Sequence, residues 1–104
     1  MFDIIKSLFG IEKTDFAQLV AEGAIILDVR TKGEYSTGHI KGSINIPVEK
    51  LRSNLNKLRN KDNPIITCCA SGVRSASAKS ILKTNGYVNV HNGGAWHSLN
   101  RKIN

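Results

Sequence analysis

Two uninterrupted apolar runs, Ala24-Ile25-Ile26-Leu27 and Ile65-Ile66-Thr67-Cys68, constrain the fold of this chain more than any other feature. A strand with one face in water alternates apolar and polar residues. A strand buried on both faces does not, and such strands belong to parallel sheets covered by helices on both sides. The segments between the runs fit that scheme. Thr14 is placed to cap a short helix over residues 15–22, with Gly23 ending it. Residues 34–37 read as one helical turn stopped by Gly38, and residues 43–46 as a second short strand. Val48, Leu51, Leu55 and Leu58 recur at helical spacing, which predicts a helix that turns Lys50, Arg52, Lys57 and Arg59 outward. Asn63-Pro64 breaks the chain before the second apolar run, residues 76–83 carry a helical pattern ended by Gly86, and residues 87–91 form a last strand. Strands alternating with helices define an α/β protein with a mostly parallel central sheet. A length of 104 residues suffices for one such domain, residues 1–104, and for no second catalytic domain.

In open parallel sheets, sites gather at the carboxyl ends of the strands. Asp28, Cys69 and the segment after His91 all fall there. The stretch Cys69-Ala70-Ser71-Gly72-Val73-Arg74-Ser75 links the second apolar run to the next helix. Loop amides turned inward and the positive end of a helix dipole favour an anion at that point. The anion is either a bound oxyanion or the cysteine's own thiolate, whose pKa such surroundings lower from about 8.5 toward roughly 3.5–7.5. An isolated cysteine is more often a small buried hydrophobe. Here Gly72 allows the backbone of a tight cradle, Arg74 adds a planar cation suited to oxyanions, and Ser75 is placed to cap the following helix. Cys69 is therefore the expected nucleophile. Cys68 is expected to pack in the core, since strand alternation turns its side chain the opposite way.

Three motifs in a fixed order resemble those of the rhodanese family of single-domain sulfurtransferases, over most of the chain. They are Asp28-Val29-Arg30 with Glu34-Tyr35 and the stretch Gly38-His39-Ile40-Lys41-Gly42-Ser43-Ile44-Asn45-Ile46-Pro47, then the loop from Cys69 to Ser75, then Gly93-Gly94-Ala95-Trp96. One departure is the tryptophan, which follows the glycine pair more closely than in many relatives. The resemblance implies a rhodanese-like three-layer fold, with helices on both faces of the sheet. It implies sulfur transfer through a persulfide on Cys69, with the main-chain amides of residues 70–74 stabilising its charge. Ala70, Ser71, Gly72, Val73 and Ser75 would line the substrate site, and Arg74 would orient the donor or hold the loop. The implied partners are a small anionic sulfur donor such as thiosulfate and a thiol, cyanide or sulfur-carrier protein as acceptor. No metal or organic cofactor is implied. Related phosphatases and arsenate reductases use a loop one residue longer, so six residues from Cys69 to Arg74 favour sulfur over phosphate chemistry. A non-catalytic partner-binding module of the same family is the other alternative.

The remaining residues carry weaker expectations. Asp28 and Arg30 are candidates for the pocket wall, with buried pairing to loop backbone as the competing role. Glu34 is expected to pair with Arg30. His39 has no second ligand at metal spacing and is read as structural, and Trp96 as a packing anchor. The net charge of +7 is uneven, with +2 on residues 1–62 and +5 on residues 63–104, which contain no acidic side chain. Such a field attracts small anions or an acidic partner surface. Without an aromatic platform or a dense basic stripe, nucleic acid is not an expected partner. No apolar run approaches the roughly 20 residues of a membrane span. Two adjacent cysteines make no disulfide framework, so a reducing, cytoplasmic setting is expected. The apolar start of the chain is too short for a secretory signal and is expected to form an amphipathic turn on the domain or a partner.

Overall fold

The computed structural model describes residues 14–104. The expectation for the apolar start of the chain lies outside them. Four parallel strands form one sheet in the order β2-β1-β3-β4, with β1 at Ile25–Asp28, β2 at Ile44–Asn45, β3 at Ile65–Cys69 and β4 at Val90–Ala95. The helices are α1 at Phe16–Ala21, α2 at Lys32–Ser36, α3 at Val73–Thr84 and α4 at Trp96–Ile103.

Side-chain alternation along β3 splits the interior into two apolar layers. Ile65 and Cys69 face one side with Leu27, Val29, Leu51, Leu58, Ala78, Ile81 and Leu82, under α3. Ile66 and Cys68 face the other with Ile26, Ile40 and Leu99, covered by Phe16, Leu19 and Val20 of α1 and by Trp96 and Ile103 of α4. Residues 26–27 and 65–68 of the two apolar runs are buried, and Ala24 and Ile25 are partly buried against opposite layers, as their lack of alternation requires. Helices cover both sides of the sheet, which makes three layers.

Several local expectations are corrected. Asp15, not Thr14, caps α1, its Oδ1 accepting from Gln18 N–H at 3.0 Å. The leucine-spaced segment is not an α-helix. It forms two 3₁₀ stretches, Val48–Lys50 and Arg52–Lys57, with Asn54 at φ −126° between turns. Ser53 Oγ and Asn54 Nδ2 both donate to Lys50 O, at 3.1 and 2.8 Å. Such side-chain bonds to nearby carbonyls compete with the α-helical ladder. Leu51 and Leu58 are nonetheless buried, so the spacing identified the core residues but not the helix type. The last strand begins at Val90 rather than residue 87, because its pairing with β3 starts at Ile65–Val90. Tyr87 instead drops into the core and donates its hydroxyl to Leu58 O at 2.6 Å. The helix after β4 was not anticipated from the sequence.

Candidate active site

β3 ends on Cys69, and Gly72 turns the chain with φ +103° before α3 begins. A side chain at that φ would be strained, so glycine is required by the conformation. The turn folds the loop back over the sulfur. Gly72 N–H lies 2.9 Å from Cys69 Sγ, Ser75 N–H 3.3 Å, and Ser75 Oγ 3.5 Å. Burial works to raise the pKa of this fully buried thiol. Hydrogen bonds from the Ser75 hydroxyl and amide and from the Gly72 and Ser71 amides outweigh it, leaving the pKa below that of an ordinary cysteine. Ala70, Ser71 and Val73 are exposed around this cradle, Val73 by 75%.

Two expectations about the loop change. α3 starts at Val73, so Ser75 lies inside its first turn and Gly72 holds the cap position. From there the Ser75 amide donates to the sulfur and the Ser75 hydroxyl oxygen accepts from the thiol, outside the amide set of residues 70–74 assigned from the sequence. Thr67 Oγ1 donates to Ser75 O at 2.9 Å and fixes this turn against β3.

Cys68, next in the strand, is the opposite case. Burial, then the nearby Asp28 carboxylate, pushes its pKa up to about 12, and its side chain lies in the other apolar layer. It stays a thiol at any physiological pH.

Arg74 does not point a free fork toward the loop. Its NH1 and NH2 donate to Glu34 Oε1 and Oε2 at 2.7 and 3.0 Å. That bidentate pair replaces the expected Arg30–Glu34 pair. Glu34 also accepts from Thr31 N–H at 3.0 Å and completes a capping box on α2. The Arg74 side-chain bonds first, with the Thr31 amide next, hold the Glu34 carboxyl at a pKa of about 2. Arg30 is instead buried against Asp28. Its Nε lies 3.0 Å from both carboxylate oxygens and its NH2 2.7 Å from Oδ2. The rest of the Arg30 fork donates to Glu34 O at 3.2 Å and Gly38 O at 2.7 Å, and its guanidinium stacks 4.6 Å over the Trp96 ring. Asp28 and Arg30 thus bind each other, Arg30 also binds backbone carbonyls in and just after α2, and neither hydrogen-bonds to Cys69. Trp96 is part-buried in the second apolar layer, where it packs.

The third wall comes from β4. Thr67 pairs with Asn92, but Cys69 pairs with Ala95, so β4 carries one extra residue, a bulge, at this point. The glycine pair makes it possible. A Cβ on Gly93 would lie 2.8 Å from both Ile66 Cγ2 and Thr67 O, and Gly94 has φ +77°. The bulge brings Asn92 to the loop, where its Oδ1 accepts from Ser75 Oγ at 2.6 Å and Gly94 N–H at 2.9 Å. Sequence reasoning missed Asn92, Thr67 and the Glu34–Arg74 pair. The Thr31-x-x-Glu34 spacing was the one available signal for a capping role of Glu34.

His39 stacks on Tyr35, centroids 3.8 Å apart, and its Nδ1–H donates to Tyr35 O at 2.8 Å. Among the described residues, no three His, Cys, Asp or Glu side chains form a group that could hold a metal. No helix among them is long and apolar enough to cross a membrane.

A family model described as a rhodanese-like domain matches residues 12–95. The chain belongs to the rhodanese-like domain family. It is 38% identical over 69 residues to the uncharacterized protein YqhL of Bacillus subtilis, covering 66% of this chain and 54% of that one. It is 33% identical over 69 residues to the thiosulfate sulfurtransferase PspE of Escherichia coli, covering 65% of this chain and 66% of that one. The chain thus spans between about half and two thirds of the length of these relatives. Among solved structures, the human single-domain sulfurtransferase TSTD1 superposes with a TM-score of 0.70 at 29% identity, over 78% of this chain and 85% of that one. The α/β three-layer fold expected from the sequence is the fold of this family.

Proposed function

We propose that this rhodanese-like domain is a sulfurtransferase that carries a sulfane sulfur on Cys69. The observation that carries the reading is the convergence of the Gly72 and Ser75 backbone N–H donors on one sulfur at the start of α3. Those donors favour a thiolate, and the thiolate is the attacking form. With thiosulfate as donor, the Cys69 thiolate attacks the sulfane sulfur and forms a new S–S bond. The donor's own S–S bond breaks, and its electron pair leaves with sulfite. The outer sulfur of the resulting persulfide carries the negative charge. A thiophilic acceptor (cyanide, a thiol or a carrier protein) then attacks that outer sulfur, and the electron pair returns to Cys69. This is a two-displacement, ping-pong scheme. Cys68 is no resolving thiol, because it is buried, fully protonated and on the other face of the strand. The acceptor is therefore a separate molecule. With its fork held by Glu34, Arg74 acts as a positioning residue for the loop. The exposed side chains of Ala70, Ser71 and Val73 meet the donor. The chemistry suits a reducing, cytoplasmic setting, since a free thiolate must persist.

The test is loading by thiosulfate followed by intact-mass and peptide measurement. A gain of one sulfur is expected on the peptide containing Cys69, with loss of thiosulfate:cyanide turnover in Cys69→Ser and retention of most turnover in Cys68→Ser. Full turnover in the Cys69 variant would sink the assignment. Hydrolysis of a chromogenic phosphate ester by the parent would point to the oxyanion-enzyme alternative instead.

A further inference from the structure

The Ser75 hydroxyl has one proton and too many uses for it. Its Oγ lies 2.6 Å from Asn92 Oδ1, 3.0 Å from Gly72 O and 3.5 Å from Cys69 Sγ. Asn92 is held in place independently of Ser75. Gly94 N–H donates to its Oδ1 at 2.9 Å, which fixes that atom as the oxygen, and its Nδ2 donates to Gly72 O at 3.4 Å. When Cys69 is a thiol, the bonds run in one direction. The thiol donates to Ser75 Oγ, and the Ser75 proton goes to Asn92 Oδ1, the shortest of its contacts. When Cys69 is a thiolate, the sulfur has only lone pairs to offer. The Ser75 proton then has to turn to the sulfur, and the 2.6 Å bond to Asn92 is lost.

We infer that Asn92 is a positioning residue for the nucleophile, one that draws the Ser75 hydroxyl proton away from Cys69 and so opposes thiolate formation. It rests on the Cys69 reading above and deepens it. Asn92 makes no hydrogen bond to the sulfur, and acts on it through Ser75. The loop then has two opposing controls on Cys69. The amides of Gly72 and Ser75 are fixed donors, whereas the hydroxyl is a donor whose proton is shared with an outside acceptor. Neighbouring charges do not account for the effect. They are Arg74 on α3 with its Glu34 partner on α2, the Asp28–Arg30 pair on β1, and His91 on β4 beside Lys79 and Lys83. Cys68 on β3 is uncharged. Replacing the neutral Asn92 alters none of these.

The experiment measures the pH dependence of Cys69 alkylation by iodoacetamide, in a Cys68→Ala background so that one thiol is followed. It needs no sulfur donor, so its outcome is independent of whether thiosulfate is a substrate. Asn92→Ala frees the Ser75 proton and should shift the Cys69 midpoint down. Below the midpoint the alkylation rate should rise by about two- to tenfold, the effect of redirecting one neutral hydrogen bond. Ser75→Ala should shift the midpoint up by removing the donor. In the Ser75→Ala background, Asn92→Ala should then have no effect. If the alanine at position 92 unfolds the bulge, Asn92→Ser keeps a short acceptor for Gly94 N–H, as serine turns do, but withdraws it from Ser75, and carries the same expectation. An unchanged or raised midpoint in the folded Asn92 variant overturns the inference. So does a downward shift that persists without the Ser75 hydroxyl.

Discussion

Asp28→Asn should be among the most damaging single substitutions in this protein, although Asp28 makes no hydrogen bond to Cys69. Asp28 is fully buried and Arg30 is 3% exposed. The carboxylate takes three guanidinium contacts between 2.7 and 3.0 Å and, in addition, the Arg30 backbone N–H at 3.0 Å. Asparagine keeps one acceptor oxygen but removes the charge and turns an NH₂ toward the guanidinium. What remains is a cation with almost no access to water. Breaking one partner of a buried pair costs about 3–5 kcal/mol, against a total of about 5–15 kcal/mol for an ordinary domain.

Urea unfolding followed by circular dichroism reads this directly. With a slope of about 2 kcal/mol per molar, the midpoint should fall by about 1.5–2.5 M. The double variant Asp28→Asn/Arg30→Met removes the orphaned cation and lays an apolar stem against Trp96. It should be more stable than the sum of the single effects predicts, a coupling visible in a double-mutant cycle. It should not regain parental stability, because Glu34 O and Gly38 O lose the Arg30 donors. A loss below about 1 kcal/mol for Asp28→Asn, or strict additivity in the cycle, would refute the claim that a desolvated ion pair fixes the end of β1.

Two further outcomes follow from the charges near the loop. The Glu34 pKa is lowered in the fold from 4.5 to about 2, so its contribution is present above the unfolded value and is lost as pH falls through about 2. The stability difference between parent and Glu34→Gln, no more than about 1 kcal/mol at this half-exposed site, should be constant near neutrality and shrink between pH 4.5 and 2; urea midpoints across that range check it, and an unchanging difference would detach the effect from the Arg74 pair. If the basic half of the chain steers an anionic donor, the second-order rate with thiosulfate should fall with added salt, since the screening length is already about 8 Å at 0.15 M. Stopped-flow loading at several ionic strengths measures it, and a flat profile would leave Lys79, Lys83, Arg101 and Lys102 as solvated surface.

Sequence rules proved strongest where one residue's environment is set by its own element. The absence of alternation in residues 24–27 and 65–68 was enough for a parallel sheet covered on both faces. Strand alternation was enough to place Cys68 and Cys69, two residues of the same type, in opposite layers of the interior. The helix over residues 48–58 failed for a related reason. Leucine spacing reports which side chains seek the core, whereas Ser53 and Asn54 decide how the backbone bonds, and that competition leaves no trace in a hydrophobic pattern. The choice of ion-pair partners failed because proximity in sequence was the only guide. Arg30 was paired with Glu34 four positions away, yet Glu34 reaches Arg74, 40 positions away, and Arg30 turns back to Asp28.

Asn92 shows where the missing information resided. Its neighbours Gly93 and Gly94 were visible as a motif, but not the reason the backbone needs them. Only the register explains it. Three steps along β4 match two along β3 between the Thr67–Asn92 and Cys69–Ala95 pairs, and Gly93 is the residue that fits against Ile66 and Thr67. The extra residue bends the strand and re-aims the side chain before it, as bulges beside active sites do. The strand-end rule that located Cys69 applies equally to its neighbour in the sheet. A polar residue at the carboxyl end of the adjacent parallel strand, followed by two glycines, is therefore placed by topology beside the loop that follows Cys69. The glycines are required by the backbone, and what that backbone delivers to Ser75 is the amide oxygen of Asn92.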